Sequence, residues 1–490
     1  MILPGIPQPK TSLAAAAANL WRRPAAWACC RPRGLAIAIA AAHLPVAFLV
    51  RQYPAAAGLH ALLTVSLLFA AVALRRGAAT VACLAAYTVG SEVLWRMAAA
   101  PAPWELAKYA VAVTLVWAAV MRDGRGTYRA PLFYMLLLLP ALWVTDGRTG
   151  WLEFRNAVSG SLSGPMCLAA CCLYFRRASL DPMALRRLLA CLCVPACAVA
   201  LLCVAGLLGA EHVKFGRSSS LVASGGYGPN QVSAVLGLGA LAAFLLMLNP
   251  HGARLRVAAL SVSLWLTGQC ALTFSRGGVY SSVIAGGVAC MALARWRTER
   301  RRVAVGITAF VAVALLMVPV MNRATNGRLV GRFMSFRPTG RDQIAAGDMR
   351  LFLHYPVLGV GVGSERRRQM HAGSPQMEYT RMLAEHGLLG GLAVLVLAVM
   401  AWRGSFNSGP PYGSAVKLAC LAWSLTYMLW YAMRLAAPAF MFGLALCRMQ
   451  FDEAEAPAVE REAETPVLTA GRHRHSRQRS GGRQAPPPPR

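Results

Sequence analysis

The sequence predicts an all-α polytopic membrane protein with about 12–14 transmembrane helices and one long outer-face loop. Three observations predict it. The 490 residues are 57% hydrophobic and only 14% charged, with a mean hydropathy of +0.48, whereas soluble domains carry about 25% charged residues. Charged residues gather in short clusters between apolar runs that approach the roughly 20 residues a helix needs to cross the hydrocarbon. Alternate clusters are rich in arginine, the asymmetry that keeps loops on the cytoplasmic side.

Residues 1–33 are basic and alanine-rich, and the first strong apolar run starts only after Gly34. They read as a cytoplasmic N-terminus, not a cleaved signal. Candidate spans in the 34–320 region lie near 34–50, 56–74, 77–98, 105–121, 130–144, 160–175, 186–209, 229–248, 256–272, 277–294 and 303–320. After a long loop, 321–386, three more follow near 387–402, 415–432 and 435–449. The runs 130–144 and 160–175 have the shortest apolar cores. The basic loops are Arg75-Arg76, Arg122 to Arg129, Arg176 to Arg187, His251 to Arg256 and Arg295 to Arg302. Placing them in the cytoplasm puts both termini inside, and puts 145–159, 210–228, the 273–276 turn and 321–386 outside. The long loop carries ten arginines against five acids, which does not overturn this, because loops beyond about 60 residues translocate whatever their charge. The tail 450–490 turns acidic, then Arg/His-rich, then ends in "QAPPPPR", a composition expected to be disordered.

The formal net charge of +31 comes almost wholly from arginine, since Lys10, Lys108, Lys214 and Lys417 are the only lysines. A soluble chain this basic would suggest nucleic acid. Much of the arginine sits in short connecting loops, which points to membrane lipids and to no nucleic-acid partner. The 14 cysteines lie mostly inside apolar runs and none falls in 321–386, which argues against a disulfide framework and against zinc. Within the spans, Glu92 and Arg96 are four apart and so share a helix face. Arg434, at the start of the last span, suits an interface anchor or a cavity equally.

Three polar pieces converge on the outer face. "YGPNQVSAVLGLG" (227–239) places a proline at a helix start, Asn230 and Gln231 at the membrane surface, and small residues for close packing behind them. "TFSRGG" (273–278) joins two spans with almost no loop, so Arg276 sits at the membrane boundary and needs an anion. The loop 321–386 contains "RPTGRDQ", "HYPVLGVGVGSERRR" and "SPQMEYTRMLAEHGLLGG". "GVGVG" lacks the G-x-G-x-x-G spacing of a nucleotide loop and reads as a flexible turn after Pro356. Ser374 and Pro375 suit a helix start. Beyond them Glu378, Arg381 and Glu385 share one face, as expected of a solvated lead-in helix held by ion pairs.

The "SRGG" turn, "TGRDQIAAGDMRLFLHYPVLGVGVG" and "EYTRMLAEHGLLGG", in this order, resemble the O-antigen ligase and polymerase superfamily of bacterial inner-membrane proteins. The resemblance covers about residues 225–400. It implies a glycosyltransferase that moves a glycan from undecaprenyl diphosphate to a sugar hydroxyl of lipid A–core, or to a second glycan, on the periplasmic face, with inversion and without a metal or other cofactor. The outer loops hold no tight carboxylate pair for a divalent ion. The chemistry asks for cations to hold the leaving diphosphate and a base to take the hydroxyl proton. The resemblance places Arg276 and Arg341 among the diphosphate-binding cations, with Arg381 nearby in the final motif. The family's ligase motif has a histidine, one polar residue, nine further residues and G-x-x-G. Counted back from Gly387 and Gly390, the histidine position is Gln376, which cannot remove a proton. Three explanations stay open: His371 swings in as base, Glu378 serves after a helix rotation, or the good leaving group makes a strong base unnecessary. A non-catalytic protein that binds or carries lipid-linked glycan is the alternative of another class.

Overall fold

The computed structural model describes residues 43, 45–121, 129–145, 150–211, 215–216, 218–249, 253–335, 340–363, 376–405 and 409–450. The N-terminal stretch to 42 and the tail 451–490 lie outside these. The helices are α1 (Pro54–Ala73), α2 (Ala78–Met97), α3 (Leu106–Val120), α4 (Arg129–Leu138), α5 (Ala141–Val144), α6 (Trp151–Phe175), α7 (Pro182–Leu208) and α8 (Pro229–Leu248). They continue with α9 (Ala253–Leu272), α10 (Arg276–Ala294), α11 (Arg297–Ala324), α12 (Arg328–Met334), α13 (Arg341–His354), α14 (Glu378–Ser405), α15 (Pro411–Trp430) and α16 (Ala437–Ala445). Among the described residues nine helices are long and apolar enough to cross a membrane.

Local chemistry sets the starts of these helices. α1, α7, α8 and α15 begin with a proline in the first turn, where its missing N–H costs nothing. Asp181 caps α7 by accepting from the Ala184 N–H at 2.6 Å. The core is a bundle in which α2 packs on α7, α8 on α9 and α10, α10 on α15, and α6 on α16. Its contacts are dominated by Ala, Leu, Cys and Val. α11 stands at the edge, with only 6% of its most apolar window buried.

Four expectations change. The run 130–144 is two pieces, α4 and α5, with Pro140 between them. α6 starts at Trp151 and so takes in most of the expected outer loop 145–159. The last run collapses to the nine-residue α16, preceded by non-helical backbone at 431–436. The described part of the loop 321–386 is largely helical, holding the end of α11, then α12, α13 and the first turns of α14.

α14 itself is broken. Gly387 sits at φ 61°, ψ −140°, a conformation that only glycine adopts at low cost. A Cβ there would also lie 2.5 Å from the Pro356 carbonyl oxygen. The carbonyls freed by the break are taken up by the loop 355–363. Val360 N–H donates to Ala384 O at 3.0 Å and Gly361 N–H to Glu385 O at 3.1 Å, while Leu388 N–H donates to Pro356 O at 2.6 Å. Val362 N–H donates to Thr145 Oγ1 at 3.1 Å. "GVGVG" is therefore a buried plug that supplies N–H groups to a helix break, not a flexible turn.

Candidate functional site

The site is built where the first turns of α8, α10 and α13 meet the non-helical stretch 431–436. Ser275, just before α10, donates to Asn230 Oδ1 at 2.9 Å. The Tyr431 hydroxyl lies 2.9 Å from the same Oγ and donates to it, since the serine's one proton is already spent on Asn230. Ser233 Oγ donates to Ser275 O at 2.9 Å. The two glycines of "SRGG" allow this closeness. A Cβ on Gly277 would run into the Tyr431 hydroxyl, and one on Gly278 would run into Ser233 O. Phe274 holds a left-handed φ of 57°, strained backbone of the kind kept at functional sites.

Arginines converge on this frame from three segments. Arg276 opens α10 and donates to Ser335 O. Arg341 opens α13, and its guanidinium lies 5.0 Å over the Tyr431 ring. Arg332, from α12, donates through Nε to Phe274 O at 3.1 Å. Its guanidinium is held below the usual arginine range, first by burial and then by the positive charges of Arg276 and Arg341. Among the described residues, neither Arg332 nor Arg341 pairs with a carboxylate. A half-buried cluster of like charges is what an anion with several oxygens relieves, and planar guanidinium forks suit phosphate oxygens.

Sequence reasoning placed Arg276 and Arg341, and the structure brings them together. It missed Arg332, which is one of ten arginines in the long loop and carries no spacing signal. It also missed the 431–436 break, although "YAMRLAAPAF" puts an arginine and a proline into an apolar run.

Arg381 sits elsewhere. It was expected among the diphosphate-binding arginines, but its guanidinium is buried and committed to two carboxylates. Nε and Nη2 hold Glu378 at 3.1 and 2.5 Å, and Nη1 holds Glu385 at 2.8 Å. Glu378 Oε2 also accepts the Met433 N–H at 2.9 Å. The row is a fully buried ion triad, not a solvated lead-in. Glu378, a candidate base, is engaged on both oxygens. Gln376 is half-buried in the non-helical approach to α14. His371, Ser374 and Pro375 lie outside the described residues.

The ions of α2 and α3 form a second buried group. Arg96 binds Glu92 at 2.6 Å, Gln231 Oε1 at 2.8 Å and Arg434 O at 3.1 Å. Lys108 binds Glu105 at 2.5 Å and Met433 O at 3.4 Å. Glu92 Oε2 accepts the Ala436 N–H at 2.7 Å. The expected Glu92–Arg96 pair is present and belongs to a network around the break. A separate apolar cavity of about 280 Å³, between α8, α9, α10 and α11, has no charged side chain in its lining.

Searches against protein-family models, curated proteins and solved structures return no match to this chain.

Proposed function

We propose that this protein is a membrane glycosyltransferase of the O-antigen ligase type. In this reading it sits in the bacterial inner membrane with both termini cytoplasmic. It moves a glycan from undecaprenyl diphosphate to a sugar hydroxyl on the periplasmic face, the acceptor being lipid A–core or, for a polymerase, a second glycan. The observation that carries it is the convergence of Arg276, Arg332 and Arg341 at the mouth of a helix pair.

The acceptor hydroxyl oxygen bonds to the anomeric carbon, the carbon–oxygen bond to the diphosphate breaks, and its electron pair leaves on the diphosphate. The three guanidinium groups neutralise that charge as it develops, where fixed cations lower a barrier most. Gln376 accepts a hydrogen bond from the attacking hydroxyl through Oε1 and orients it. The proton passes to a base or to water. His371 stays the foremost side-chain candidate, because Glu378 is occupied by Arg381 and Met433.

The test is transfer in vitro from undecaprenyl-diphosphate-linked glycan. Arg276→Ala and Arg341→Ala should each lower the rate about 100-fold or more, with protein levels unchanged. Normal transfer in both variants would sink the proposal. The second reading, a non-catalytic binder or carrier, is favoured by the glutamine at position 376. Tight binding of the same lipid with no turnover would support it.

A further inference from the structure

A second cavity lies away from the arginine site, at the opposite end of the helices, and bears on no step of the proposed transfer. It measures about 540 Å³ and opens between α9 and α11, against the end of α8. Ligand sites span about 300–1,000 Å³. Its mouth carries Arg256, Arg301 and Arg302, and its floor is Met247, Leu260 and Val305. Among the described residues the lining holds three arginines and no carboxylate, and Glu299, beside it in sequence, lies 2.5 Å from Arg302. Trp296, 48% exposed just before α11, marks the level where indole rings sit between lipid and water. α11 is almost unpacked along its apolar length, which leaves the floor open sideways to the hydrocarbon.

We infer that this cavity binds an anionic phospholipid of the leaflet at that end. Arg256, Arg301 and Arg302 hold its phosphate, and an acyl chain lies over Leu260 and Val305. A free phosphate would satisfy the mouth but not the apolar floor. A zwitterionic lipid would cover the floor but bring a cation of its own to the arginines. Basic pockets between membrane helices take anionic headgroups for this combined reason.

The experiment is lipid retention by the purified full-length protein in detergent, read by native mass spectrometry. The probes are dioleoylphosphatidylglycerol, dioleoylphosphatidylcholine and inorganic phosphate. Wild type should retain the glycerol lipid over the choline lipid. The joint variant Arg256→Ala, Arg301→Ala, Arg302→Ala should lose that preference by about tenfold or more, and the corresponding lysine variant should recover part of it. Arg76→Ala with Arg403→Ala, two exposed arginines elsewhere in the chain, should leave the preference intact. Should the triple variant fail to fold, Ala309→Phe fills the floor, keeps the arginines and should still expel the lipid. Three results would overturn the inference: a preference that survives in the triple and Ala309→Phe variants, equal loss in the control variant, or displacement of the lipid by inorganic phosphate alone.

Discussion

Replacing Arg381 by methionine separates a structural ion triad from a substrate-binding arginine. In the triad the arginine side chain is 4% exposed and both glutamates are 0% exposed. The substitution keeps most of the aliphatic volume and strands two carboxylates in the interior. Removing one partner of a buried pair costs about 3–5 kcal/mol, and with two carboxylates stranded the upper end applies. At about 2–4 °C per kcal/mol for a chain beyond 150 residues, the melting temperature should fall by roughly 10–20 °C. The assay is thermal unfolding in detergent with a thiol-reactive fluorogenic dye. It suits this protein because its described cysteines are free and nine of the twelve are buried. Adding Glu378→Gln and Glu385→Gln to Arg381→Met removes the stranded charges, while the amide oxygen now at position 378 still accepts the Met433 N–H. That triple variant should regain most of the lost stability. If Arg381→Met melts like wild type yet loses transfer, Arg381 serves the substrate and the triad assignment is refuted.

Arg332→Ala should cut transfer about 100-fold or more without lowering the melting temperature. Burial and two like charges hold the Arg332 guanidinium below the usual arginine range, an effect that solvent screens in part; at neutral pH without ligand, its removal should offset the loss of the bond to Phe274 O, and a large fall in melting temperature for Arg332→Ala would contradict this. Gly387→Ala should destabilise by about 1–3 kcal/mol for the positive φ alone, and more for the contact with Pro356, so wild-type melting behaviour would show that the α14 break is not formed as described. Gln376→His should raise the transfer rate if the missing base limits it, and an unchanged rate would show that the leaving group needs no strong base at this position.

The membrane class, the positions of most spans and the boundary position of Arg276 were legible in the sequence, each for a physical reason, whereas Arg341 was singled out only through the family resemblance. Apolar length reports spanning, and an arginine in a four-residue turn such as 273–276 has no depth of loop in which to hide. What stayed illegible depends on long-range backbone satisfaction. Gly387 looked like an ordinary small residue at a helix mouth, because the backbone that crowds it, at Pro356 and Val357, lies about thirty residues earlier. Glu378, Arg381 and Glu385 looked solvated because i, i+3 and i, i+4 ion pairs are a surface pattern. Nothing in their spacing says that Met433 presses against them. Arg332 could not be told from its neighbours without the fold.

The buried charges become intelligible once the break at 431–436 is treated as an accounting problem. Non-helical backbone inside a membrane protein must have every N–H and C=O satisfied from within the protein. Here Met433 N–H goes to Glu378 and Ala436 N–H to Glu92, while Met433 O receives Lys108 and Arg434 O receives Arg96. Each of those ions in turn has a counter-ion, in Arg381, Arg96 and Glu105. Six ionisable residues, three of each sign, thus support a short unwound segment. That segment is what places Tyr431 against Ser275 and under Arg341. The conspicuous intramembrane charges therefore support the site instead of forming it. Charge remains available to an external anion at Arg332 and Arg341, whose described contacts are to a backbone carbonyl and an aromatic face. A variant that disturbs the support, such as Lys108→Met, should therefore lower stability and transfer together, whereas one at Arg332 should separate them.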